Sequence, residues 1–199
     1  MIDVRVLTGE RLEDALDDVA RLRISIFAEW PYLYDGDMDY ERRYLQHFKT
    51  SARAVLVGAY ESDWLIGAAT GAPLAEHAEE FHGAFEGTDL NLTEVFYCAE
   101  SVLLPHYRGR GIGHRFFDLR EAHAREEGFT KVAFCSVVRP ADDPRQPTDY
   151  IGHDAFWRGR GYAPLDGVVA NFGWKDIGED KETLKPLQFW MRNLDASAH

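Results

Sequence analysis

At 199 residues and 22.7 kDa the chain is sized for a single domain, 1–199, and leaves no room for two full enzyme domains. A hydrophobic fraction of 45%, with five Trp, nine Tyr and twelve Phe, supplies a core without disulfide or metal staples and argues against disorder. A formal charge of -12 weighs against nucleic-acid binding, which rests on Lys and Arg meeting phosphates, and suits a cationic substrate, although net charge speaks first to solubility.

In chain order, Ile2–Leu7 alternates as a first strand, and Thr8 offers a cap for the helix that starts near Glu10. Leu12, Leu16, Val19, Leu22 and Ile26 recur at helical spacing on one apolar face. Residues 30–37 break the period as a loop, and Asp39 is placed to cap a second helix through Tyr44 and Phe48. Residues 54–60 and 64–71 form a hairpin across the turn at 61–63. Residues 73–85 read as a helix, and 93–104 as one long strand that Pro105 ends. From Ile112, the apolar positions Phe116, Leu119 and Ala122 carry a helix to about Glu127, closed by Gly128. A strand at 132–138 follows, and the strand-helix-strand order makes it parallel to 93–104. A proline-rich loop at 140–149, a short helix at 150–160, and strands at 168–174 and 187–192 complete the chain.

Cys98 and Cys135, the only cysteines, sit inside apolar runs and read as buried thiols. Covalent catalysis by Cys135 is disfavoured, because an apolar setting raises a thiol pKa. His77 and His82 stand five apart rather than at the four-residue spacing of a metal pair, so no metal is expected. The N-terminus lacks a secretory pattern, and no stretch approaches membrane-spanning length, so the expectation is a cytoplasmic protein without a membrane partner.

Gly109, Gly111 and Gly113 lie between a strand and an amphipathic helix, where free backbone N–H groups and the helix dipole favour an anion. Arg108 and Arg110 add positive charge. A P-loop would need Gly-Lys-Ser/Thr, yet His114-Arg115 follows Gly113. A dinucleotide fingerprint would need an acid after the next strand, where Cys135-Ser136-Val137-Val138 stands.

The run 102–113, Val-Leu-Leu-Pro-His-Tyr-Arg-Gly-Arg-Gly-Ile-Gly, resembles the coenzyme A motif of the GNAT superfamily of N-acetyltransferases. That pattern, Arg or Gln, two residues, Gly, one residue, Gly or Ala, is met by Arg108, Gly111 and Gly113. Residues 155–162 are similar to the helix and Gly-aromatic turn that close the acyl-CoA site, and the resemblance spans about residues 54–174. It implies an α/β (α+β) fold: a mixed, mostly antiparallel sheet of about six to seven strands flanked by helices, with a splay before and after the phosphate-binding helix. It further implies that acetyl-CoA is the cosubstrate, that the backbone at Leu103 and Leu104 pairs with pantetheine, and that the N–H groups of Gly109, Arg110, Gly111, Ile112, Gly113 and His114 take the pyrophosphate.

Transfer to an amine, small-molecule or protein, needs that amine neutral, although free amines titrate at roughly 8 to 10. Glu100 is the preferred general base, a solvent-facing strand residue or an arginine's ion-pair partner being its competing roles, with Glu94 in reserve. The family's Tyr acid is matched here by Trp157, which reads as packing against coenzyme A or the core. The acid is then Tyr150, Tyr162, water or nothing, and a non-catalytic acyl-CoA sensor or another acyl donor stays open. Residues 32–40, with Asp35, Asp37 and Asp39 among aromatics, form either a wall for a cationic amine or, more simply, a solvated loop with a cap. Residues 189–191 serve the sheet core in preference to a substrate platform, or equally a homodimer contact.

Overall fold

The computed structural model describes residues 1–77, 81 and 83–194. Eight strands form one sheet: β1 (Ile2–Leu7), β2 (Val55–Glu61), β3 (Trp64–Pro73), β4 (Val95–Tyr97), β5 (Ser101–Leu103), β6 (Lys131–Val137), β7 (Ala163–Lys175) and β8 (Glu182–Asn193). Their order is β1-β2-β3-β4-β6-β8-β7, with β5 also on β3. All pairs are antiparallel except β4 with β6, so the expected mixed sheet and the parallel crossover are both present.

Helices α1 (Glu10–Phe27) and α2 (Met38–Thr50) cover one face, and α3 (Ile112–Glu126) covers the other. The period-two pattern of β2 sorts the core: Val55, Val57 and Ala59 meet Phe116 and Phe117 of α3, while Leu56 meets Leu16, Val19, Leu45 and Phe48 of α1 and α2. A third cluster gathers Leu74, Phe81, Phe85, Tyr97 and Phe189. Phe189 and Trp190 are buried, which takes both into the core rather than to an outer contact.

Several boundaries move. Gly9, at φ 56°, opens α1 in place of Thr8, with no side-chain cap. Asp37, not Asp39, caps α2, accepting from the Tyr40 N–H at 2.8 Å, because Asp37 holds the extended backbone that capping requires. The strand expected at 93–104 is two strands, parted at Cys98-Ala99-Glu100 and preceded by a 3₁₀ turn at Leu92–Glu94. Where 73–85 read as helix, Pro73 ends β3 and a 3₁₀ turn spans Leu74–His77, while residues 78–80 and 82 lie outside the described residues. The short helix α4 is Asp154–Gly159, and β7 and β8 run longer at both ends than the sequence suggested.

Candidate functional site

The break at 98–100 has a physical cause. Cys98 N–H still bonds Ala133 O of β6 at 2.8 Å, but β5 pairs with β3 alone, so β4-β5 and β6 diverge beyond that bond. The buried Arg120 of α3 holds the break: Nη1 donates to the carbonyls of Thr70 and Glu100 at 3.1 and 2.9 Å, Nη2 to Ser101 Oγ, and Nε to Phe116 O. Leu104 N–H bonds Ile66 O and Thr70 N–H bonds Glu100 O, so ladder alternation turns the N–H groups of Ser101 and Leu103 toward the gap. Leu104 N–H is therefore spent on β3, and Leu103 carries the gap-facing donor.

At the end of β5 a 3₁₀ turn, Pro105–Tyr107, leads into the glycines. Gly109 and Gly111 take φ 75° and 79°, a region that L side chains rarely enter, and a Cβ at either would meet nothing within 4 Å. Among the described residues no side chain caps the first turn of α3, so its leading N–H groups are not taken up by a side chain. Tyr107 anchors the turn to β2 through Glu61 at 2.6 Å. Arg108 folds back, Nε to Leu103 O at 3.2 Å and Nη2 to Glu29 at 3.0 Å, while Arg110 donates to His106 O. His114 packs on Phe156 of α4 and contacts Arg160.

Beside the break opens a cavity of about 530 Å³, walled by Phe27, Tyr32, Tyr44, Tyr97, Phe172 and Trp174. Glu100 lies at its buried end, 7% exposed, with Oε2 bound by Arg23 Nη1 at 2.8 Å and by Tyr44 OH at 2.9 Å. Arg23 Nε also bonds the fully buried Glu41. Burial opposes the Arg23 charge, but Glu100, Tyr44 and Glu41 outweigh it and hold the guanidinium protonated. Glu100 Oε1 is buried and accepts nothing from the described residues. Tyr32 stacks on Trp174 with ring centroids 5.9 Å apart, and burial, then Cys135, pushes its phenol above the ordinary value. Asp35, Asp37 and Tyr40 stand at the exposed rim with Asp180 and Glu182, so residues 32–40 are cavity wall and helix cap at once, with Asp39 directed to Arg42.

The wall is tied across the chain by Asp176, which is 3% exposed. It binds Arg139 and Arg145 at 2.8 and 2.9 Å and Lys185 at 3.1 Å, while Arg139 reaches the carbonyls of Pro31 and Tyr32.

The other sequence-derived candidates disperse. Glu94 sits at the far end of β4, bonded to Lys131 at 2.7 Å, which lowers its pKa. Tyr162 is buried and donates to Glu121 at 2.9 Å, and burial raises its pKa further. Tyr150 is half-buried with its ring edge on Trp30. Trp157 packs on Phe134 and Trp190. Both cysteines are free and buried, and burial raises Cys98 to about 11. His77 packs on His47, and His82 is outside the described residues. Among the described residues no cluster of His, Cys, Asp or Glu is gathered to hold a metal, and no helix is long and apolar enough to cross a membrane.

The sequence assigns no role to Arg23, Glu41, Arg120 or Asp176, and gives Tyr44 only a place on the second helix. Arg23 did leave a trace: it follows Val19 by four residues on the apolar stripe of α1, where an unpaired charge would be costly.

Comparison with known proteins follows the same lines. Residues 19–147 match the acetyltransferase (GNAT) family profile. A GCN5-related N-acetyltransferase from Kribbella flavida shares 16% identity at a TM-score of 0.59, covering 97% of this chain and 98% of that one. A Salmonella typhimurium protein solved with its cofactor acetyl-CoA gives 12%, 0.59, 100% and 96%. An N-acetyltransferase from Staphylococcus aureus gives 12%, 0.58, 97% and 98%. At these identities the likeness is one of fold. No match was found among curated proteins.

Proposed function

The chain belongs to the GNAT acetyltransferase family, and on that premise we propose that it is a single-domain N-acetyltransferase moving an acetyl group from acetyl-CoA directly to an amine. The observation that carries the reading is the glycine turn: two left-handed glycines with open space beside them lead into a helix N-terminus that no described side chain caps, which leaves backbone donors for a diphosphate. The residues fit the cosubstrate, since the turn meets its phosphates and the divergence of β5 from β6 leaves room for an extended arm beside Leu103.

Acetyl-CoA supplies a thioester: the amine nitrogen bonds the acetyl carbon as the carbon–sulfur bond breaks, and the sulfur leaves as a thiolate. The chain's own groups do the rest. Backbone N–H groups of residues 109–114 hold the diphosphate, and Leu103 N–H polarises the acetyl carbonyl. Glu100, whose Oε1 accepts nothing from the described residues, takes the proton that the acceptor ammonium must lose before its nitrogen attacks, and the second N–H proton, shed as the amide forms, replaces the one given to the sulfur. Tyr150 or Tyr32 returns a proton to the sulfur, both hydroxyls being unheld by other side chains among the described residues. Tyr162 has no such freedom, because Glu121 holds its hydroxyl.

Thiol release from acetyl-CoA across a panel of amines tests the reading. Acetylation of at least one amine is expected, and tight coenzyme binding with no turnover for any of them would leave a sensor in its place.

A further inference from the structure

The cavity carries negative charge at two ends with an apolar waist between them. At the buried end, Glu41 and Glu100 share the single cation Arg23. At the exposed rim, Lys175 pairs with Asp35, and Asp37 is engaged as the α2 cap, while Asp180 and Glu182 meet the opening across the β7–β8 turn. Between the two ends stand ring faces and edges from Phe27, Tyr32, Tyr44 and Trp174. An acid cluster alone would be a solvated surface, but here Glu100 is more than nine-tenths buried, lines the cavity and keeps one oxygen without a donor among the described residues.

From this pattern we infer that the acceptor is a linear amine bearing a second cationic centre, an alkyl diamine or polyamine. The inference rests on the acetyltransferase reading and names the substrate class of that same site. One ammonium is seated at Glu100, loses one proton to it, bonds the acetyl carbon and becomes the acetamide as its second proton passes to the departing thiolate. The second stays charged among Asp180, Glu182 and the rim. The alkyl chain between them lies on the aromatic waist, where it is desolvated without leaving a polar group unpaired. A substrate carboxylate is disfavoured at both ends, because Arg23 is already bonded to two glutamates and Lys175 to Asp35.

Three probes of matched length decide the matter: hexamethylenediamine, hexylamine and aminocaproate, assayed for thiol release and, on the coenzyme A-loaded protein, for binding by calorimetry. The diamine is expected to exceed hexylamine in kcat/KM by about tenfold, as two part-exposed ion pairs allow, with aminocaproate lowest. D180N/E182Q, altered only at exposed positions, should bring the diamine-to-monoamine ratio down to about twofold, and added salt should lower it in the wild type. Equal kcat/KM or equal binding for diamine and monoamine, or a ratio that D180N/E182Q leaves unmoved, would overturn the inference. Failure of every amine to release thiol while coenzyme A still binds would instead remove the acetyltransferase reading on which it rests.

Discussion

At the glycine turn the chain offers its own backbone; at the cavity it offers side chains drawn from α1, α2, the 30–37 loop, the break after β4 and the β7–β8 arm. The first surface is made by a few consecutive residues whose φ angles are fixed locally, and its donors are identical for any sequence that adopts the turn. The second exists only when segments more than a hundred residues apart have been brought together, as when Arg139 grips the carbonyls of Pro31 and Tyr32. The difference teaches that an invariant ligand can be met by conformation alone, whereas a particular acceptor requires chemistry gathered from across the fold.

The sharpest way to break that contrast is at Gly111. An Asp there must enter φ 79° and sets a negative charge against the phosphates, so G111D should weaken coenzyme A binding by about a thousandfold or more in calorimetry. Unchanged affinity would show that the diphosphate sits elsewhere.

On the cavity side, Asp176 is the test of assembly across the chain. D176N leaves Arg139 and Lys185 short of their carboxylate, and about 3 kcal/mol of stability should be lost in denaturant titration. Burial alone would raise the Asp176 carboxyl, but hydrogen bonds from Arg139 and Lys185 outweigh it and hold it below the ordinary value. A carboxylate depressed in the folded state contributes stability above its unfolded pKa of about 3.9, and that contribution is lost as pH falls through the folded value. The gap between wild type and D176N should therefore stay level from about pH 7 to about pH 5 and close below about pH 4; a gap that widens on acidification would contradict the assignment.

Two smaller substitutions sharpen the division of labour. E100Q should lower kcat by about a hundredfold while the KM for acetyl-CoA stays within about twofold, as the proposed role of a base for the acceptor requires. Y162F should cost about 1 kcal/mol of stability through the lost bond to Glu121 and leave kcat within about twofold. A large fall in kcat for Y162F would return that hydroxyl to the chemistry.

The same contrast explains what could be read from the amino acids. The strands and main helices follow from periodicity, and the turn from three glycines spaced two apart before an amphipathic helix. Glu100 reads in the sequence as part of one continuous strand, because the break that sets it in the cavity is held by Arg120, twenty positions away. Cys98-Ala99-Glu100 is as strand-like as its neighbours, so nothing local announces the break. The choice of Asp37 over Asp39 as cap was likewise undecidable from composition, both being acids before the same helix, until the backbone angle chose. Arg23 was the legible omission, a charge on an otherwise apolar stripe that had to imply buried acids elsewhere.

Arg120 has one more implication. Its guanidinium bolts the helix that begins at the glycine turn to the carbonyl of Glu100 and the hydroxyl of Ser101, so the two half-sites ride on one fastened unit. The ordering of that corner is settled when the protein folds, so that in the proposed transfer neither reactant has to spend its own affinity arranging the other's seat.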